Sequence, residues 1–139
     1  MTEIYDYVVI DTCPSFSEAV LAALDRSDEV LVVTMMDVAS IKNTRISLQK
    51  LRQLGYDAHR LRIVLNRSDS KVLLEPGEVE DAIGVEIAAH VPSDRMVPRS
   101  VNKGVPIVIE APRSAVARSM VALAQSSVRP ATKEADDVA

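Results

Sequence analysis

Residues 7–18 read Tyr-Val-Val-Ile-Asp-Thr-Cys-Pro-Ser-Phe-Ser-Glu, and this stretch decides the fold class. Its apolar beginning, closed by Asp11, predicts a strand over residues 7–11 that ends in an acid. Ser15, with Glu18 three positions later, has the pattern of a capping box and predicts a helix that runs to about residue 24. A strand, a tight proline-containing turn and a capped helix form a βα unit, in which the acid lies at the carboxyl edge of a sheet.

The rest of the chain alternates between strand-like and helical patterns. The further predicted strands are 29–34, Leu61–Asn66 and Ile87–Val91. The further predicted helices are 38–54, 79–83, 95–103 and a last one, which Ser114 caps and which runs to about residue 124. A short extended run is predicted at 106–109. This alternation favours an α/β fold with a mainly parallel sheet flanked by helices. We expect one domain over residues 1–125 and a disordered polar tail over 126–139.

Composition excludes several classes of protein. With 47% apolar and 26% charged residues in a chain of 139, the protein has the composition of a globular domain. The net charge of −4 gives no general signature of nucleic-acid binding. The single cysteine, Cys13, excludes a disulfide within the chain, and no apolar run reaches the roughly 18 residues of a membrane span. These features predict a cytoplasmic protein without a transmembrane segment.

Asp11 is the first candidate for chemistry. A carboxylate at a strand end can hold a water bound to Mg²⁺ and can help order the attacking water in phosphoryl transfer. A strand-terminal Asp can equally accept hydrogen bonds from turn amides and do nothing else. The residue pattern alone leaves both interpretations open.

Asn66 and Arg67 close the predicted strand that begins at Leu61. An Asn at this place can offer both groups of its amide to an adenine edge, and the neighbouring guanidinium can lie flat against the ring. Pro92 to Asp94 follow the next strand and could supply backbone groups to the same base. The alternatives are a turn Asn beside a solvated Arg, and an ordinary turn with a helix cap at Asp94.

A basic row on the longest predicted helix consists of Lys42, Arg45 and Arg52. It could contact nucleic acid or an acidic partner, although a solvated helix face is the better default. No G-x-x-x-x-G-K-[ST] loop for cradling phosphates occurs in the sequence, since the four glycines are scattered.

Five segments taken in order carry a family resemblance. They are Val-Val-Ile-Asp-Thr-Cys-Pro-Ser-Phe (8–16), Ala-Leu-Asp-Arg-Ser-Asp-Glu-Val-Leu-Val-Val-Thr (23–34), Val-Leu-Asn-Arg (64–67), Val-Pro-Ser-Asp (91–94) and Ser-Val-Asn-Lys-Gly-Val-Pro-Ile-Val (100–108). From about residue 6 to residue 124 the chain resembles the ParA/MinD superfamily of deviant-Walker P-loop ATPases. It is most similar to the CpaE/TadZ-like branch, which is associated with Flp/Tad pilus assembly.

The resemblance implies a P-loop NTPase fold with ATP and Mg²⁺ as ligands. It places Asp11 in the Walker B/switch II region as the catalytic acid, which reaches the metal through water. It places Asn66 and Arg67 near the adenine, together with Pro92 and Asp94 of the adenine-side turn. It also implies an adenine nucleotide, a second copy of the chain and pilus or secretion components as partners, in the cytoplasm or peripherally at the membrane or cell pole.

The chain departs from this family at its start. Members begin with a strand that leads into a Lys-Gly-Gly-x-Gly-Lys-[ST]-type loop, and nothing before Tyr7 supplies it. In relatives that strand lies in the middle of the sheet, so its loss should leave an unpaired strand edge. We therefore expect either a sequence cut at an internal Met, which we favour, or a fold that closes over the gap. The chain by itself should have no ATPase activity. Two other features differ from relatives. Thr12-Cys13 follows the acid where relatives often carry Pro or Leu, and the acidic tail lacks the apolar spacing of a membrane-targeting helix.

Three functions remain in competition. The first is a nucleotide-dependent positioning or scaffold ATPase for Flp/Tad-type pilus or secretion machinery. The second is a non-catalytic interaction module that keeps the ATPase fold. The third is a DNA-partition ATPase that uses the basic row, for which steeply salt-dependent DNA binding would be the sign.

Overall fold

The computed structural model describes residues 4–69 and 76–128. Its helices are α1 (Glu18–Arg26), α2 (Val38–Gln53), α3 (Pro76–Ile83), α4 (Met96–Lys103), α5 (Ile107–Glu110) and α6 (Ala115–Ser127), and its strands are β1 (Val30–Met35), β2 (Leu61–Asn66) and β3 (Ile87–Val91). Within these ranges the strands form one parallel sheet in the order β1-β2-β3. The predicted α/β architecture is therefore confirmed.

The central strand β2 divides the interior into two apolar layers. Leu61, Ile63 and Leu65 belong to one core cluster, into which α2 and α3 also pack. Val64 points to the opposite face and joins a second cluster with residues of α5 and α6. The connection from β1 to β2 runs through α2, and the connection from β2 to β3 runs through α3. Both helices lie on the same face of the sheet because right-handed connections between strands that follow one another in order place their helices on one side.

Helix α2 shows how the sequence specifies its packing. Ile41, Thr44, Leu48 and Leu51 are its buried residues, and their spacings of three and four are those of a helix with one face against the core. Asp37 caps its beginning, because the Ser40 hydroxyl and backbone N–H both donate to the carboxylate. These bonds, the one from the hydroxyl first, lower the pKa of Asp37. The helix ends before a glycine with a left-handed backbone, as predicted.

The predicted strand over residues 7–11 is wrong for the structure. These residues have no strand pairing, and their apolar side chains are exposed, to 94% at Val9 and 51% at Ile10. A strand exists only where another strand takes its backbone hydrogen bonds. Among the described residues no strand lies against this segment, so its apolar pattern alone does not make it part of the sheet.

Two further local predictions need correction. Helix α1 is capped by Ser17, whose hydroxyl accepts the Val20 N–H, whereas Ser15 lies in the preceding turn and contacts Cys13. The predicted extended run at 106–109 is instead the single helical turn α5, which Pro106 precedes with the φ angle that proline imposes. The last helix extends to Ser127, so it reaches into the predicted tail, while residues 129–139 lie outside the described residues.

Strand β1 has a free edge and one uncovered face. It pairs only with β2 within the described part of the chain. Its residues Leu31, Val33 and Met35 alternate with the core-facing ones and are exposed, Val33 to 61%. An apolar edge of this kind offers backbone groups and apolar surface to another strand. Within the described ranges β1 is therefore an edge strand with an exposed apolar face.

Candidate functional site

The carboxyl ends of the parallel strands bring together most of the predicted site residues. Met35 pairs in register with Asn66, and Asn66 pairs with Val91, so the three strands end side by side. Thr34, Asn66 and Pro92 consequently lie along one edge of the sheet. This is the edge at which open α/β sheets bind ligands.

The Asn66 side chain is partly engaged by its own neighbour. Its Oδ1 accepts the Arg67 backbone N–H at 3.0 Å, while no described residue bonds to its Nδ2 amide group. Arg67 adopts a left-handed backbone (φ 55°), and its side chain is exposed. The Oδ1 atom keeps a second lone pair, so Asn66 can still present an acceptor and a donor to a ligand.

The turn after β3 shows the alternative role of Asp94. Its Oδ1 accepts the Met96 N–H at 2.7 Å, at the first residue of α4. The carboxylate thus closes the turn and satisfies one of the free N–H groups at the helix start. Pro92, half-buried, has no N–H, and it follows Val91, the residue that pairs with Asn66.

Asp69 is a site residue that the sequence reasoning missed. Its Oδ1 accepts the Ser93 N–H at 2.6 Å, and next to it the Ser68 N–H donates to the Val91 carbonyl at 3.1 Å. The Ser93 backbone bond and then the Ser93 hydroxyl lower the pKa of Asp69, and the charge of Arg67 acts in the same direction. The available signal was an Asp three residues past a strand end, where such side chains commonly bond loop amides.

None of the described strands contains Asp11. It lies in the unpaired segment before α1, exposed, and no described residue forms a hydrogen bond or ion pair with it. No group of three or more His, Cys, Asp or Glu side chains converges in residues 4–69 and 76–128. Mg²⁺ at nucleotide sites is held by one or two carboxylates together with phosphates and waters, so the indirect metal role of Asp11 stays a prediction.

The basic row on α2 faces solvent. Lys42, Arg45 and Arg52 are exposed, and in the described ranges none of their side chains makes a hydrogen bond or ion pair. Arg45 and Arg52 line a shallow cavity of about 180 Å³ between α2 and α3, which Asp81 also lines. The acid within the cavity offsets part of the positive charge.

Comparison with solved structures decides the fold. A ParA family ATPase from Chlorobium tepidum TLS superposes with a TM-score of 0.83 at 26% identity, over 89% of this chain and 52% of that one. The chain has the fold of the ParA/MinD ATPases. The septum site-determining protein MinD complexed with Mg-ADP from Pyrococcus horikoshii OT3 also superposes, with a TM-score of 0.68 at 21% identity, over 83% of this chain and 47% of that one.

Sequence comparison supports a similarity of this chain to the ParA/MinD superfamily. The septum site-determining protein MinD of Thermotoga maritima is 21% identical over 108 residues, which are 74% of this chain and 40% of that protein. No family model matches the chain. The chain thus spans about two fifths of this relative and about half of the solved structures. None of the helices in the described ranges combines the length and apolar character needed to cross a lipid bilayer.

Proposed function

We propose that this chain forms the adenine-recognition side of an ATP site in a ParA/MinD-type ATPase. The observation that carries the proposal is the placement of Asn66 and Arg67 beside Pro92 at the carboxyl edge of a parallel sheet. An amide with a free Nδ2 group can read the donor and acceptor pattern of adenine. The exposed guanidinium of Arg67 can stack on the ring, and the Pro92 carbonyl adds an acceptor nearby.

The catalytic assignment in this proposal is Asp11, with Mg²⁺ reached through water. A phosphoryl-transfer site needs positive groups around the phosphates as well as a residue that orders water. The sequence contains no phosphate-cradling glycine loop. We therefore assign base recognition to the chain by itself, and the catalytic role of Asp11 applies only to a complete site that includes such a loop. Asp94 contributes indirectly, since its bond to Met96 sets the shape of the turn.

The cellular role we propose is nucleotide-dependent positioning or scaffolding of Flp/Tad-type pilus or secretion machinery. It rests on the five sequence segments with a CpaE/TadZ-like order. It includes a location in the cytoplasm, or peripherally at the membrane or cell pole through partners, and assembly as a homodimer. A gene deletion tests the role. Loss of Flp/Tad pili that a plasmid copy restores would support it, whereas normal piliation would refute it.

The experiment for adenine recognition is a titration of ATP and of GTP into the ¹⁵N-labelled chain. Contacts through the base alone should give a dissociation constant on the order of millimolar for ATP. Because Asn66 is only half-buried, the Asn66→Ala variant should lose about 1 kcal/mol, or roughly five- to tenfold in affinity. GTP binding should fall less, because guanine presents the opposite donor and acceptor pattern where Asn66 reads the base.

Two variants serve as comparisons. Arg67→Ala should weaken both nucleotides to a similar and smaller extent, since stacking hardly depends on the identity of the base. Asn43→Ala changes an exposed Asn on α2 whose side chain makes no hydrogen bond within the described residues, and it should leave both affinities unchanged. Equal ATP affinities of wild type and Asn66→Ala would return Asn66 to the role of a turn residue.

A non-catalytic interaction module is the second candidate, and the free edge of β1 favours it. Leu31, Val33 and Met35 give that strand an apolar exposed face, and its edge can pair with a strand of another polypeptide. Replacing Val33 by Lys should prevent such pairing while the buried core stays intact. Unchanged self-association or partner binding in this variant would remove the edge from consideration.

A further inference from the structure

Two loops that are distant in sequence are joined at the carboxyl edge of the sheet. One loop, residues 66–69, leaves β2, and the other, residues 92–95, leaves β3. In register, the strand pairing ends at Asn66 and Val91. Beyond that pair, the loops are linked by the Ser68 N–H bond to the Val91 carbonyl and by the Ser93 N–H bond to the Asp69 carboxylate.

We propose that Asp69 is a positioning residue for the base: its carboxylate holds Ser93, and thereby fixes the turn after β3 at a set distance from the Asn66 side chain. The inference rests on the proposed adenine site, which these loops border from either side. Asp69 need not touch the nucleotide. It acts through the Ser93 backbone, whose neighbour Pro92 contributes the carbonyl.

The chemistry of the bond suits this task. A carboxylate is a charged acceptor, and such bonds are shorter and about twice as strong as neutral ones, in keeping with the 2.6 Å separation. Arg67 stands on the same loop and supports the charged form of Asp69, whose pKa is lowered by the Ser93 bonds. Within the described residues neither Asn66 nor Asp94 makes a side-chain bond across the two loops, since Asn66 accepts the Arg67 N–H and Asp94 accepts the Met96 N–H. Asp69 alone among these side chains fixes one loop against the other.

Holding the two loops together before the nucleotide binds should raise the affinity for ATP, and not only the stability of the fold. If the two loops drift apart in the unliganded protein, binding must first bring them together, and the apparent affinity falls by the fraction of time spent apart. Asp69→Ala removes the acceptor and should weaken ATP binding about three- to tenfold. Asp69→Asn keeps an oxygen that can accept the Ser93 N–H, so it should restore most of the lost affinity.

The test uses the full ¹⁵N-labelled chain with ATP as the probe. In each variant we would record the backbone amide resonance of Ser93 and the dissociation constant for ATP. The control is Asp57→Ala, because Asp57 is also exposed and also accepts a backbone N–H, that of His59, but in the turn before β2. The control should change neither the Ser93 resonance nor the ATP affinity.

The outcomes separate the inference from the proposed function. A shifted Ser93 resonance with weakened ATP binding in Asp69→Ala, and recovery of both in Asp69→Asn, would support the inference. Wild-type ATP affinity in Asp69→Ala would overturn it and leave the adenine site standing, whether or not the Ser93 resonance moved. Absence of ATP binding by the wild-type chain would overturn the proposed function and the inference with it.

Discussion

A buried pair of hydroxyl groups offers the sharpest test of how β1 is held beside the site. The Thr44 hydroxyl on α2 donates to Thr34 Oγ1 on β1 at 2.9 Å, and both residues are almost fully buried. Replacing either Thr by Val exchanges the hydroxyl for a methyl group of similar size. The remaining hydroxyl then stays buried without its partner, which costs about 1–3 kcal/mol.

The double variant should be less harmed than the sum of the single ones. When both hydroxyls become methyl groups, no unpaired polar group remains, so the free energy of unfolding should return to within about 1 kcal/mol of the wild type. Urea unfolding measures all four proteins, with single-variant midpoints lowered by about 1 M. Thr12→Val, at an exposed position, is the matched control and should leave the midpoint unchanged. Strictly additive effects of the two substitutions would show that the hydroxyls do not interact.

Four further outcomes can be measured independently. Leu65→Ala, at a core position with 0% exposure, should lower the free energy of unfolding by about 2–5 kcal/mol in urea titrations. Gly104→Ala should destabilise by about 1 kcal/mol in the same assay, because the position has a φ of 67° while an added Cβ meets no neighbour within 4 Å. The pKa of Asp69 is lowered, so its carboxylate should stay charged and bonded to Ser93 at neutral pH. The bond should be lost only as the pH falls below about 3.9, the ordinary pKa of an Asp, and through the lowered pKa of Asp69. The Ser93 amide resonance measures this loss. The chain by itself should hydrolyse ATP no faster than buffer in a phosphate-release assay, and turnover that Asp11→Ala abolishes would contradict this.

The sequence predicted best where periodicity and burial act together. On α2 the buried positions Ile41, Leu48 and Leu51 follow directly from the helical repeat, and β2 and β3 have the predicted bounds. The meeting of Asn66 with the turn after β3 was also predictable, since parallel strands end at a common edge.

The predictions that failed share a physical cause. A local sequence pattern does not specify which residue elsewhere in the chain will be the hydrogen-bond partner. Residues 7–11 carry the apolar pattern of a strand, yet a strand requires a neighbour, and none lies there in the described part of the chain. The choice between Ser15 and Ser17 as helix cap depended on which backbone amide each hydroxyl reaches. The position of Asp69 past a strand end indicates a bond to a loop amide but not to which one, because the bond spans 24 positions to Ser93.

Intermolecular nuclear Overhauser contacts between ATP and the labelled chain test the adenine site most directly. We expect contacts from the carbon-bound adenine protons to the Asn66 side-chain amide and to the backbone around Pro92, and their loss in Asn66→Ala. Contacts that instead join the adenine to the basic face of α2, around Arg45 and Arg52, would contradict a nucleotide site at the carboxyl edge of the sheet.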